Sequence, residues 1–191
     1  MLNDLIISRV RVKILQLFFL APGRILHVRE IVRRTNEEIN AVRRELAHLE
    51  KIGLMTKERR ANRLFYALRR DYPLYFDLLE LVVKTSGMGG DIIKNRTKIG
   101  KIRYAVISGK FARGLPRGSN DVDLLIVGRV VLPEISQLIR QEEVKREREI
   151  NYTVMSDEEF EFRKRRRDPF IIDILRKSRI IVVGDEEELV K

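Results

Sequence analysis

The segment 109–127 constrains this chain most, because a basic loop containing glycines runs into two closely spaced acids. The acids are Asp121 and Asp123, and the apolar run after them predicts a strand over residues 121–127. Alternate side chains of a strand point to the same face, so we expect both carboxylates to project together. Two adjacent carboxylates repel each other unless a cation lies between them, and Mg²⁺ (or Mn²⁺) prefers hard oxygen ligands of this kind. The spacing therefore predicts a divalent metal site at Asp121 and Asp123.

The loop before these acids combines backbone freedom with positive charge. Gly109 and Gly114 allow the backbone to approach a ligand closely or to adopt positive φ. Lys110, Arg113 and Arg117 supply cations in the same loop. Phosphate on one side and metal on the other is the arrangement that a nucleoside triphosphate requires.

At these residues the chain resembles the DNA polymerase beta-like nucleotidyltransferases, and among them the small minimal nucleotidyltransferase domains. The family signature is Gly-Ser, often followed by Phe/Arg-Ala-Arg-Gly, and then Ser-Asp-Ile-Asp-Leu-Leu-Val after a spacer. This chain has GKFARG from Gly109 and NDVDLLI from Asn120, at matching spacing. The resemblance implies that Asp121 and Asp123 hold catalytic metals and that a triphosphate, with ATP as the default, is the substrate. It places the nucleotide contacts at Gly109, Lys110, Arg113 and Ser119.

The chain departs from the family at two positions. Lys110 stands where the family has a phosphate-contacting serine. The family also carries a third carboxylate on the neighbouring strand, predicted here over residues 148–155, and Asn151 occupies the position of that acid in some relatives. Glu149 is the only acid on that segment. It either replaces the third catalytic carboxylate or merely pairs with Arg148 or Arg103 at a strand end, and both interpretations are open.

The first half of the chain has a legible order of elements. Apolar periodicity predicts four helices. The first covers residues 8–20, the second covers residues 27–34, the third ends at residue 51, and the fourth covers residues 71–84. Two apolar runs, 54–58 and 64–68, predict strands joined by a basic turn over residues 59–63.

This order resembles a winged helix domain, and LAHLEKIGLMTKERRANRLFYAL is close to that family's third helix and wing. The resemblance implies that the third helix enters the major groove and that the wing reaches the DNA backbone. Arginine can fork onto guanine and asparagine onto adenine, whereas wing arginines mostly neutralise phosphate. The candidate DNA contacts are Asn36, Asn40, Arg43 and Arg44 on the helix side, and Arg59, Arg60 and Arg63 on the wing.

An alternative role for this half comes from its acids. Glu37, Glu38 and Glu45 lie on or beside the predicted recognition helix and would repel DNA. Winged helices also serve as protein-binding or dimerisation modules, so DNA binding and a protein-binding role, including a homodimer, are both open.

The glycines within residues 85–90 predict a linker or tight turn that divides the chain into domains 1–86 and 87–191. Residues 1–86 carry 17 Lys+Arg and 10 Asp+Glu, and residues 87–191 carry 22 and 18. The second half predicts strands over residues 103–108, 121–127, 148–155 and 179–183. We therefore expect an α+β protein: an N-terminal winged helix-turn-helix domain followed by a small mixed-sheet nucleotidyltransferase domain.

The amino-acid composition indicates which kinds of partner and metal site this chain could have. The chain of 191 residues has 39 Lys+Arg against 28 Asp+Glu, a net charge of +11, which favours an anionic partner such as nucleic acid or nucleotide. The absence of cysteine excludes disulfides and thiolate metal sites, and two histidines are too few for a histidine-rich one. No apolar run reaches the length of a membrane span, and no signal peptide is evident, so we expect a cytoplasmic protein.

These observations predict a DNA-binding protein with a metal-dependent nucleotidyltransferase domain that transfers a nucleotidyl group to a hydroxyl acceptor. Two alternatives are a transcriptional regulator whose second domain only senses nucleotide or is inactive, and a toxin–antitoxin component that modifies a partner protein. The basic run of residues 164–167 has three interpretations: a contact for a triphosphate tail, a contact for nucleic acid, or a solvated helix end.

Overall fold

The chain is divided into two compact units, Met1–Ser86 and Gly87–Lys191, in a computed structural model that describes residues 1–118 and 121–191. Both units combine helices with a small sheet, so the predicted α+β class is confirmed.

The first unit places its helices around a small antiparallel sheet of strand order β1-β3-β2. Its helices are α1 (Leu2–Leu5), α2 (Arg9–Phe19), α3 (Val28–Thr35), α4 (Ile39–Lys51) and α5 (Tyr75–Thr85), and its strands are β1 (Leu26–His27), β2 (Met55–Arg60) and β3 (Arg63–Leu68). α2 and α3 lie within one residue of their predicted bounds and α4 ends at the predicted Lys51, whereas α5 begins four residues later than predicted. Each of these helices presents apolar side chains at helical spacing to one core. Residues from α2, α3 and α4 that are almost completely buried there include Ile14, Phe18, Ile31, Val42 and Leu46.

The hairpin of β2 and β3 is longer, and its turn tighter, than the sequence predicted. Arg60 pairs with Arg63 in the strand register, so the turn consists of Ala61 and Asn62. Ala61 has a φ of 50°, the left-handed conformation that such a short turn requires. Arg59, Arg60 and Arg63 are consequently strand residues rather than members of a basic loop.

The second unit is built on a mixed sheet of strand order β6-β5-β4-β7, in which β5 and β6 are parallel and the other neighbours antiparallel. Its strands are β4 (Gly100–Ser108), β5 (Leu124–Val130), β6 (Tyr152–Met155) and β7 (Arg179–Val183). Its helices are α6 (Gly87–Lys94), α7 (Arg96–Ile99), α8 (Gly109–Ala112), α9 (Leu132–Arg146), α10 (Asp157–Arg165), α11 (Pro169–Arg176) and α12 (Glu186–Val190). One core cluster joins β4 and β5 to α10 and α11 through Tyr104, Val106, Leu125, Phe160 and Ile171.

Residues 87–90 were predicted to form a linker or tight turn, but they form the first turn of a helix. Gly87 begins α6, and Gly89 and Gly90 are buried within that helix, which packs against α9 and β7. Glycine weakens a helix interior by about 1 kcal/mol relative to alanine, so burial against neighbouring elements outweighs the propensity on which the prediction relied.

Two strands also begin later than predicted. β5 begins at Leu124, so Asp121 and Asp123 precede it, and β6 begins at Tyr152, so Glu149 and Asn151 precede that strand. The alternation argument for a shared strand face therefore does not apply to the two aspartates. They lie in the connection between α8 and β5.

Candidate functional site

One end of the second unit's sheet gathers the predicted catalytic segment. Ile107 pairs with Leu124, Ser108 with Arg179, and Leu124 with Tyr152. The end of β4 and the starts of β5, β6 and β7 therefore meet, and the acids that precede β5 lie among them. The backbone N–H of Ser108 donates to the carbonyl of Asp123 at 2.9 Å, which fixes Asp123 at this edge.

Asp121 is 8% exposed, and cations of the chain itself surround its carboxylate. Lys177 Nζ lies 2.7 Å from Oδ1, and Lys110 Nζ lies 2.9 Å from Oδ2. The backbone N–H of Gly118 donates to Oδ2 at 2.8 Å. The hydrogen bond from Lys177, followed by those from Gly118 and Lys110, holds the pKa of Asp121 well below its usual range.

Asp123 is 2% exposed and uses a different set of partners. Arg117 Nη1 donates to Oδ2 at 3.1 Å, and the backbone N–H of Asn151 donates to the same oxygen at 3.0 Å. Arg148 Nη2 lies 3.9 Å from Oδ1, and its guanidinium stacks over the ring of Phe111 at 5.6 Å from the centroid. Each aspartate is thus neutralised separately by side chains of the protein.

The two aspartates supply carboxylate oxygens of the kind that a divalent metal prefers, but cations of the chain hold both side chains in this structure. The charge that would attract Mg²⁺ or Mn²⁺ is already balanced by lysine and arginine, which contribute no ligand atoms. Across residues 1–118 and 121–191, no group of three or more His, Cys, Asp or Glu side chains is arranged to hold a metal ion.

Glu149, the predicted third carboxylate, is exposed and lies outside β6. It makes no hydrogen bond or ion pair within the described parts of the chain, and it pairs with neither Arg148 nor Arg103. Asn151 lies next to the aspartates instead, and its side-chain amide donates to the Asp121 carbonyl at 2.9 Å. An amide that ties two loops together therefore stands where a third acid was expected.

The space beside Gly109, where a nucleotide was expected, is filled by Ser178 of the same chain. A Cβ on Gly109 would lie 2.3 Å from Ser178 Oγ and 2.7 Å from the Ser178 carbonyl oxygen, which also accepts the Gly109 N–H at 2.7 Å. Arg113 donates from Nε to the Gly109 carbonyl at 2.9 Å and from Nη2 to Ser178 Oγ at 3.0 Å. The close approach that Gly109 permits is therefore to the Ser178 backbone. Ser119, the remaining predicted nucleotide contact, lies outside the described residues.

Sequence analysis missed Lys177 as a member of this site. Its Nζ donates to Asp121 Oδ1 at 2.7 Å and to Asp173 Oδ2 at 2.5 Å, and these two hydrogen bonds raise the pKa of Lys177. A small cavity beside this bridge is lined by Ser108, Asp121, Asp173, Lys177 and Ser178. The only sequence signal was the i,i+4 pair of Asp173 and Lys177 at the end of α11, which says nothing about Asp121.

A second candidate site lies in the first unit, where α3, α4 and the hairpin surround a groove of about 520 Å³. This α4–hairpin groove is lined by Arg29, Arg43, Asn62, Arg63, Leu64 and Tyr66, among others. Tyr66 is 5% exposed and forms part of the groove's buried base, whereas Arg43 and Arg63 are exposed. A basic rim over a partly apolar base is a surface suited to an anionic partner.

The acids that were expected to repel DNA are neutralised by neighbouring cations or used as a helix cap. Glu37 accepts from Lys13 Nζ at 2.6 Å and lies 3.4 Å from Arg9 Nε. Glu45 accepts from Arg11 Nε at 2.8 Å and from the Ser8 hydroxyl at 2.6 Å. The hydrogen bond from Lys13 lowers the pKa of Glu37, and the bonds from Ser8 and Arg11 lower that of Glu45 although burial opposes them. Glu38 caps α4 by accepting the Ala41 N–H at 2.9 Å.

The arginines of the groove lack such partners. Within residues 1–118 and 121–191, no carboxylate lies within ion-pair distance (4.0 Å) of the side chains of Arg29, Arg43, Arg44 and Arg63, and all four are exposed. Among the residues that the structure describes, the Arg59 side chain donates only to the Ala61 carbonyl, at 3.4 Å. Arg29, Arg43 and Arg63 line the groove, and Arg44 follows Arg43 in sequence.

The other predicted DNA contacts differ in whether their side chains already have a partner. Arg60 is held in a two-point pair with Glu58, with distances of 2.9 and 2.7 Å, so its charge is already balanced. Asn36 ends α3 with a φ of 51°, and Asn40 lies in the first turn of α4; both are exposed. Arg29, at the start of α3, was not predicted, because a lone arginine in a helix gives no signal of the groove it will face.

No family model, curated protein or solved structure matches this chain. Among the described residues, no helix is both long enough and apolar enough to cross a membrane.

Proposed function

We propose that this protein binds duplex DNA through the α4–hairpin groove and that its second unit is a nucleotidyltransferase-like domain without transfer activity, as in a DNA-binding regulator. The observation that carries the proposal is the separation of charges in the first unit. Glu37 and Glu45 are paired with α2 and Glu38 caps α4, whereas the exposed arginines that line the groove form no ion pair with any described residue.

Unpaired arginines are the form of positive charge that DNA binding uses best. An arginine already bound to a carboxylate must give up that partner before it contacts phosphate, whereas Arg43, Arg44 and Arg63 need not. Each phosphate neutralised releases condensed counterions, so binding that depends on these residues should weaken steeply with salt.

The order α2, β1, α3, α4, β2, β3 in the first unit supports the resemblance to a winged helix. By that resemblance, α4 would lie in the major groove, and the exposed Asn40, Arg43 and Arg44 would face bases or flanking phosphates. The hairpin would bring Arg59 and Arg63 to the DNA backbone.

A second candidate, nucleotidyl transfer from a triphosphate to a hydroxyl, is favoured by one observation. Two buried carboxylates lie beside a basic loop, as the resemblance requires. The regulator is the better supported of the two, because Lys110 and Lys177 already neutralise Asp121, and Asn151 rather than an acid lies next to both aspartates.

Fluorescence anisotropy with a labelled random-sequence duplex tests the proposal, alongside incubation with Mg²⁺, labelled triphosphates and candidate acceptors. We expect salt-sensitive duplex binding, with a Kd on the order of 1 to 100 μM or tighter near physiological salt, and no label transfer. The absence of duplex binding at low salt would refute the DNA-binding role. Label transfer that is lost in Asp121→Asn would show instead that the second unit is an enzyme.

A further inference from the structure

The C-terminal end of α10 carries a second concentration of cations that the α4–hairpin groove does not include. We call it the α10 basic end, and it consists of Phe162 together with Lys164, Arg165, Arg166 and Arg167. The helix ends at Arg165, and Arg167 has a φ of 53°, so the four cations follow one another around the last turn. Phe162 is 52% exposed beside them.

Neutral groups hold three of these cations in place. The Arg166 guanidinium stacks over the Phe162 ring at 4.8 Å from the centroid. Arg165 Nε lies 3.3 Å from the Glu161 carbonyl, and Lys164 Nζ lies 5.6 Å from the Phe160 ring centroid. Rings and carbonyls orient a cation without cancelling its charge.

Three acids on α10 or just after it are paired with arginines outside the α10 basic end. Arg163 lies 2.7 Å from Glu159 and 3.7 Å from Asp168. Glu161 pairs with Arg103 at 2.8 Å. Within the described ranges 1–118 and 121–191, none of the four cations at residues 164–167 forms an ion pair, so their charge is uncompensated.

The helix dipole alone does not account for this arrangement. A helix C-terminus favours cations within its last turn, and Arg163 already lies there. Four consecutive cations, two of them beyond the end of the helix at Arg165, exceed what one helix terminus uses. The dipole also gives no reason for an exposed Phe162 beneath an arginine.

We propose that the α10 basic end is a second contact for the sugar–phosphate backbone of duplex DNA, which extends the proposed function and rests on it. Arg166 stacked on Phe162 presents the edge of its guanidinium, with its N–H donors, to a phosphate. Arg165 and Arg167 add charge beside it. Backbone contacts of this kind strengthen binding without reading sequence.

Salt titrations of the full-length protein test the inference. The variant Arg165→Gln/Arg166→Gln/Arg167→Gln is compared with a charge-matched control, Arg129→Gln/Arg140→Gln/Arg176→Gln, whose arginines are exposed and dispersed over the second unit. For the first variant we expect the slope of log K against log salt to become shallower by about 2 to 3, because each lost phosphate contact removes about 0.9. The control variant should change it by less than about 1.

The outcomes separate the inference from the proposed function. If both triple variants change the slope equally, the inference is wrong, since only total charge then matters. If the wild-type protein binds duplex and Arg43→Gln/Arg63→Gln weakens it while the α10 variant matches its control, the proposed function stands without this second contact. If the α10 variant weakens binding and the groove variant does not, the second contact stands and the groove assignment fails.

Discussion

At the scale of single residues, the decisive property of each charged group is whether the fold already supplies its partner. Asp121 and Asp123 are the acids on which catalysis would depend, and both are bound by cations of the chain. Arg43 and Arg63 are left without a carboxylate among the described residues. Arg60 differs from these two arginines, because Glu58 pairs with its guanidinium.

The paired state of Asp121 predicts a dependence of stability on pH. Its pKa in the folded state lies below that of an unfolded aspartate, about 3.9, so its stabilisation is fully present above roughly pH 4 and is lost as the pH falls through the folded value. We expect Asp121→Asn to lower the free energy of unfolding by about 1 to 3 kcal/mol at neutral pH, because charge-assisted hydrogen bonds are lost. The difference from wild type should shrink below roughly pH 4. Urea unfolding across pH measures it.

The control for this prediction is Glu149→Gln, which changes an exposed acid near the same sheet end without a partner among the described residues. It should leave unfolding unchanged within about 0.5 kcal/mol at every pH. A loss in Asp121→Asn that persists undiminished in acid would contradict the ionised pairing with Lys177 and Lys110.

At the scale of elements, close packing of one backbone segment against another determines where the fold requires a glycine. The turn into α8 touches the start of β7 through Gly109 and Ser178, so the glycine is required by the fold whatever the ligand. On the first unit, cations of α2 pair with Glu37 in the α3–α4 connection and with Glu45 within α4.

Gly109→Ala should therefore destabilise the second unit by roughly 1 to 3 kcal/mol, since the new Cβ would overlap a main-chain carbonyl. Adding Ser178→Gly should give only partial recovery, because that change removes Oγ but leaves the carbonyl oxygen 2.7 Å from the Cβ position. Thermal unfolding of both variants provides the measurement. A stable Gly109→Ala protein would mean that the glycine is free to serve a ligand.

The sequence predicted elements better than partners, for physical reasons that particular residues illustrate. Helical spacing of Ile14, Phe18, Val42 and Leu46 identifies α2 and α4, because burial of one face is a local pattern. The glycines of α6 misled the prediction, because tertiary packing overrode a local propensity. Lys177 could not be assigned to Asp121, because the fold alone joins residues 56 positions apart in the chain.

At the scale of the whole molecule, the chain has a net charge of +11, and its lysines and arginines fall into two groups: those that form an ion pair with a carboxylate and those that do not. Among the described residues, three arginines without an ion pair line the α4–hairpin groove of one unit, and four cations without an ion pair form the α10 basic end of the other, in addition to unpaired cations dispersed over both units. The account therefore predicts a nucleic-acid affinity that depends on a few specific arginines rather than on total charge.

The most direct measurement of this claim is the salt dependence of duplex binding for Arg43→Gln/Arg63→Gln, measured by anisotropy on the full-length protein. We expect the slope of log K against log salt to become shallower by about 1.8, because two phosphate contacts are lost. A paired control, Glu58→Gln/Arg60→Gln, removes an arginine whose charge is already balanced and should keep the wild-type slope. Equal slopes for wild type and the Arg43→Gln/Arg63→Gln variant, or an equal loss in the paired control, would contradict the assignment of the groove as the DNA-binding surface.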